Sequence, residues 1–131
     1  MKSVLEEVAT GMAGEFFVME RLFRLGHQPA LTMGNAMAID ILVQGKSRTL
    51  YEVSVKAVCG GGKWGASKTN EASAETRIYV LLEYTKFEDP KTTPKVYFIP
   101  APKVQRMKHR WHEGKGFYYS STKHGITSPK P

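Results

Sequence analysis

The sequence predicts an α/β fold: an N-terminal helix, then a mixed central sheet flanked by helices. Three observations carry this. Residues 3–25 repeat apolar side chains at the helical spacing of three and four. Short runs rich in Val, Ile and Tyr follow between residues 38 and 100, separated by turn chemistry. A basic segment after Pro102 returns to helical spacing. A chain of 131 residues, 41% hydrophobic and 24% charged, buries roughly two-thirds of its unfolded surface. Residues 1–131 are therefore expected to form a single domain, frayed from about residue 126.

The first helix is bounded by Ser3, an N-cap with Glu6 three residues on, and by Gly26 as its C′ residue. Leu5, Val8, Met12, Phe16, Met19 and Phe23 form its apolar stripe, read as the buried face. Ala38–Val43 is an apolar run broken only by Asp40, and Gln44-Gly45-Lys46-Ser47 is a turn. Arg48–Ala57 alternates as a strand: Val53, Val55 and Ala57 on one face, Glu52, Ser54 and Lys56 on the other. These two runs predict an antiparallel hairpin. Gly60-Gly61-Gly62-Lys63-Trp64-Gly65 is expected to lie outside regular structure, because consecutive glycines lose too much backbone entropy there, and a loop is expected to continue to about residue 70. Arg77–Tyr84 and Lys95–Pro100 predict buried strands. Pro102 suits the first turn of a helix continuing over Lys103–Glu113, and Phe117–Ser120 adds a short edge strand.

Cys59 stands alone, which excludes an internal disulfide and any multi-cysteine metal site within one chain. With two acids at once in Met1–Glu7, no signal peptide is expected there. No apolar run reaches the roughly 18 residues that span a bilayer. A reduced, cytoplasmic setting without a membrane partner is expected. The net charge is +7, and residues 101–131 hold seven of the lysines and arginines against one acid, Glu113. Such a cluster fits a polyanion such as nucleic acid, or a solvated basic tail.

Three acids sit where acids are expensive. Glu15 lies in the least polar part of its helix, Asp40 interrupts an apolar run, and Glu52 shares a strand face with Lys56. A buried carboxylate needs a cation, a metal or hydrogen bonds. Taken singly, each also reads as structural: Glu15 at the helix edge, Asp40 capping a turn, Glu52 and Lys56 as an exposed ion pair. Together they suit phosphodiester hydrolysis. Magnesium takes carboxylate oxygens and keeps several waters. It polarises phosphate and lowers the pKa of an attacking water. A lysine beside that water stabilises the developing negative charge.

Gly14-Glu15, Ile39-Asp40-Ile41-Leu42-Val43 and Val53-Ser54-Val55-Lys56-Ala57 resemble the PD-(D/E)XK nuclease superfamily, in particular its small prokaryotic members related to Holliday-junction resolvases and Mrr-type restriction enzymes. Tyr97-Phe98-Ile99-Pro100 before a basic helix is similar to the same branch. The resemblance implies a restriction-endonuclease-like core and a magnesium- or manganese-dependent nuclease acting on DNA rather than RNA, with a homodimer reaching two strands. It implies Asp40 as principal metal ligand, Glu15 as a helix-borne carboxylate holding a ligand water or second ion, and Lys56 as catalytic lysine. The sequence departs from the pattern at Ser54, two residues before Lys56, where the family has Glu or Gln. Either Glu52, about 6.6 Å further back on the same face, supplies the missing carboxylate and Ser54 merely lines the site, or the domain is inert and binds nucleic acid or a protein.

Two basic features accompany this core. Lys63 and Trp64 follow the glycine loop and are placed for phosphate contact and base stacking if the loop is a flap. The alternative is a plain connection with Trp64 folded onto the core. Lys103, Arg106 and Arg110 fall together at helical spacing, a face able to neutralise phosphates.

Overall fold

The computed structural model describes residues 4–32, 40–45, 47–66, 76–105, 108–110 and 117–120. A long helix, α1 (Val4–Arg24), opens the chain, and β1 (Pro29–Leu31), β2 (Ile41–Gln44), β3 (Leu50–Cys59) and β4 (Lys63–Ala66) follow. Then come β5 (Arg77–Tyr84), β6 (Lys95–Pro100), α2 (Ala101–Gln105), β7 (Lys108–Arg110) and β8 (Phe117–Ser120). Five strands form a sheet in the order β1-β2-β3-β5-β6, and three form a second in the order β4-β8-β7. The predicted hairpin is present: β2 pairs antiparallel with β3, Ile41 opposite Val53 and Leu42 opposite Glu52. β3 and β5 are parallel and the other pairs antiparallel, so the sheet is mixed. Among the described residues no helix is long and apolar enough to cross a membrane.

Helix α1 ends where the sequence predicts. Gly26 takes φ +91°, its N–H donates to the Phe23 carbonyl, and the His27 N–H donates to Leu22. These two bonds make a Schellman cap. Ser3, the expected N-cap, lies outside the described residues.

The inward face of α1 is not the one expected. Leu5, Val8, Met12, Phe16 and Phe23 are exposed, and the helix turns Thr10, Gly14 and Val18 inward. The reason is close approach. A Cβ added at Gly14 would lie 2.8 Å from Ala57 Cβ and 3.0 Å from Leu82 Cδ1, so only glycine lets the helix lie this near the sheet. Periodicity marks an apolar stripe but does not say which of two non-polar faces meets the sheet.

Strand alternation places a cluster on each face of the sheet. On the helix side Val18, Ile41, Val43, Val53, Val80 and Leu82 pack together, with Val55 and Ala57 against them. On the other side lie Trp64, Tyr79, Leu81, Tyr97, Ile99 and Ala101, with Val58 against them. Trp64 is fully buried, donates its indole N–H to the Leu82 carbonyl at 2.8 Å and meets Tyr97 edge-on.

The C-terminal quarter departs most from expectation. α2 stops at Gln105 instead of running to Glu113, and Lys108–Arg110 is a strand paired with β8. Phe117–Ser120 is accordingly the centre of the second sheet and not an edge. The aromatic run Phe117-Tyr118-Tyr119 favours strand, and its pairing with Lys108–Arg110 overrides the helical spacing of Val104, Met107 and Trp111.

Candidate functional site

Glu15 on α1 and Asp40 ahead of β2 come within electrostatic reach of each other beside the middle of β3. Asp40 immediately precedes β2, and its backbone already belongs to the ladder. Its N–H donates to the Val53 carbonyl and its own carbonyl accepts from Thr32, both at 2.9 Å. Asp40 lies one residue beyond the Ile41–Val53 pair, at the point where the register with β3 ends. Its carboxylate Oδ2 accepts the Val55 N–H at 2.7 Å, a bond that pins the side chain beside β3.

Glu15 reaches the same place from the helix. It follows Gly14, whose contact with Ala57 and Val55 fixes the helix against β3. Its carboxyl is held above the usual glutamate range by burial and, secondarily, by the negative charge of Asp40. Two carboxylates thus approach each other, and among the described residues neither is in an ion pair. A neighbouring carboxylate raises a carboxyl pKa when no cation lies between them. Such a pair suits a hard divalent cation, since magnesium needs only one or two protein carboxylates and completes its shell with waters and substrate phosphate oxygens.

Lys56 lies next to Val55 along β3, half-buried and in no ion pair among the described residues. Ser54, two residues earlier on the same strand face, is 2% exposed. Glu52 does not join the acids. It faces Arg77 across the parallel β3–β5 pair and binds its guanidinium at 2.9 Å, with Arg77 the more buried partner. Among the described residues no three of His, Cys, Asp and Glu are grouped closely enough to hold a metal. The three-carboxylate set expected with Glu52 as the substitute is not assembled. Arg77 was the residue missed; its place opposite Glu52 depends on a parallel register that no local pattern reports.

The basic residues disperse. Trp64 is not placed for base stacking, because its ring belongs to the core and its N–H is used. The glycine loop ahead of it takes positive φ at Gly60, Gly61 and Gly62, and the Gly62 N–H is held by the Glu83 carboxylate at 3.0 Å. With Trp64 in the core, that anchor fits the plain connection and not the flap. Lys63–Ala66 is a strand where the sequence predicts a loop, because it pairs with β8. Lys63 is exposed on β4, and Lys103 is exposed on α2. Arg110 belongs to β7, and Arg106 lies outside the described residues, so Lys103, Arg106 and Arg110 do not share a helix face.

No protein-family model matches the chain, and no curated protein matches it significantly. Among solved structures the chain is similar to a bacterial homing endonuclease, with a TM-score of 0.53 at 14% identity, covering 99% of this chain and 84% of that one. At that identity the likeness is one of fold. The expected mixed α/β architecture, with its N-terminal helix on a five-stranded sheet, is present and is shared with that structure.

Proposed function

We propose that this chain is a divalent-metal-dependent nuclease of the PD-(D/E)XK type that hydrolyses phosphodiester bonds in DNA. The observation that carries this reading is the approach of Glu15 to Asp40, neither of them in an ion pair among the described residues, on a nuclease-like fold, with Lys56 one residue on from the Val55 N–H that holds Asp40. Asp40 and Glu15 would hold magnesium or manganese. A bound ion supplies positive charge against the phosphate and lowers the pKa of a water. Asp40 is fixed for this by the Val55 N–H, which leaves its second oxygen for the ion. Lys56 donates to the developing negative charge on the phosphate. Ser54 lines the floor and Glu52 orients Arg77. Lys63 and Lys103 are exposed cations for the DNA backbone, and a second copy of the chain would bring a site to each strand.

One observation favours a second reading, an inert DNA-binding module: Ser54 is buried where a third ligand is expected, and Glu52 is committed to Arg77. Thermal melting and calorimetry with magnesium and manganese, alongside cleavage of supercoiled and branched DNA, separate the two. A nuclease is stabilised by the metal and cuts, and Asp40→Asn loses both properties while staying folded. A wild type that binds DNA but neither binds metal nor cuts establishes the second reading.

A further inference from the structure

Helix α1 is apolar on two sides, and a helix apolar on two sides ordinarily lies between two layers. Its inner side is covered by the sheet; its outer side carries Leu5, Val8, Met12, Phe16 and Phe23, each 43–78% exposed. We infer that this stripe is a self-association surface on which a second copy of the chain docks, α1 against α1 and antiparallel. This goes beyond the proposed activity and does not rest on it.

The spacing builds a seam. Leu5, Val8 and Met12 recur eleven residues later as Phe16, Met19 and Phe23. An eleven-residue repeat advances about 3.67 residues per turn, so the stripe runs almost straight along the helix. About a twofold axis between Met12 and Phe16, Leu5 of one copy meets Phe23 of the other and Met12 meets Phe16, with Val8 over Met19, which is half-buried against its own core. Each smaller side chain opposes a larger one.

Charge selects the direction. The first turn is acidic, with Glu6 and Glu7, and the last is basic, with Arg21 and Arg24. Glu20 lies between those arginines at 3.1 and 3.2 Å, and the turn still keeps a positive balance. A parallel pair would set acid against acid. An antiparallel pair sets the acidic turn beside the partner's basic one and opposes the helix dipoles.

Area decides sufficiency. Taking about 150–200 Å² for each residue, the lower part of the aromatic range, the exposed fractions amount to roughly 430–570 Å² of apolar surface per copy. A patch of that size is large for a monomer. Two copies would bury about 1,000 Å² in all, the threshold of a specific interface. The contact is isologous and closes at two copies.

Sedimentation velocity of the full chain over about 1–200 μM, without DNA or metal, tests this; the range brackets the affinity of a small interface. The expected result is a reversible monomer–dimer equilibrium. Phe16→Lys, which puts an unpaired charge into the seam, weakens it about tenfold or more while leaving the circular dichroism spectrum unchanged. An equimolar mixture of Leu5→Cys and Phe23→Cys cross-links on oxidation, beyond the level of either alone. Asp40→Asn dimerises like the wild type, which separates this inference from the nuclease reading. A wild type monomeric throughout, a dimer unmoved by Phe16→Lys, or Leu5→Cys cross-linking best with itself overturns it.

Discussion

Glu15 shows what a single residue contributes. Its carboxyl titrates above the ordinary value of 4.5 because burial and then Asp40 penalise its charge. The folded state therefore binds this proton more tightly than the unfolded chain does. The stability so gained is fully present below 4.5 and is lost as pH rises through the raised folded value. At neutral pH the ionised Glu15 is a net cost, and Glu15→Gln should raise the melting temperature at pH 7 and leave it nearly unchanged below pH 4.5. Adding manganese should reverse the order at pH 7, since a cation between Glu15 and Asp40 stabilises only the wild type. Melting curves at two pH values, with and without metal, check both arms. Glu52→Gln is expected to behave differently. It removes the negative charge that the Arg77 guanidinium, 11% exposed, faces, and should lower stability by about 1–3 kcal/mol without altering metal affinity. Calorimetric loss of metal binding in that variant would return Glu52 to the ligand set. Glu15 and Asp40 were legible because carboxylates amid apolar residues require compensation. The role of Glu52 was not, since its partner lies 25 residues on and only the parallel register brings it there.

At the scale of an element, α1 is the most instructive. Its two exposed-or-buried glycines make opposite predictions from one local sequence. A Cβ at Gly11 meets nothing within 4 Å, whereas one at Gly14 meets Ala57 Cβ at 2.8 Å. Gly11→Ala should stabilise by about 0.5–1 kcal/mol through helix propensity alone. Gly14→Ala gains the same propensity but forces the helix off β3, and overpacking of this kind costs about 1–3 kcal/mol. The expected order of denaturation midpoints is Gly11→Ala above wild type, wild type above Gly14→Ala. If both substitutions stabilise, the helix does not sit on the sheet as described. The helix, its Gly26 cap and the strands beginning at Ile41, Leu50, Arg77 and Lys95 were all legible, because hydrophobic period and turn chemistry are local signals. The inward face of α1 was not, because it is decided by Gly14, which carries no hydrophobic signal at all. Nor was β7, where three residues form a strand only because Phe117–Ser120 is available to pair with them.

Across the whole molecule, charge and core are segregated. The acids of the candidate site lie on α1 and just ahead of β2, while residues 101–131 hold a net +6. Lys63 and Arg110 lie on the outer strands β4 and β7 of the second sheet, either side of β8, and Lys103 lies on α2, between them in sequence. If this region meets a duplex, its cations act as separate phosphate contacts and not as one helix face. Each contact then releases its own counterions, so the slope of log affinity against log salt falls by about 0.9 per contact removed. Lys63→Ala, Lys103→Ala and Arg110→Ala should each flatten the slope by about that amount, and a pair of them by about twice it. Asp40→Asn should leave the slope unchanged, because it removes a negative charge from the site and no phosphate contact. Fluorescence anisotropy with labelled duplex DNA over a salt series measures all six slopes, that of the wild type included. Wild-type binding with a slope near zero would mean that the +6 is solvated and contacts no backbone. A single lysine that abolished the whole dependence would restore one concentrated basic face, against the dispersal seen over α2, β4 and β7.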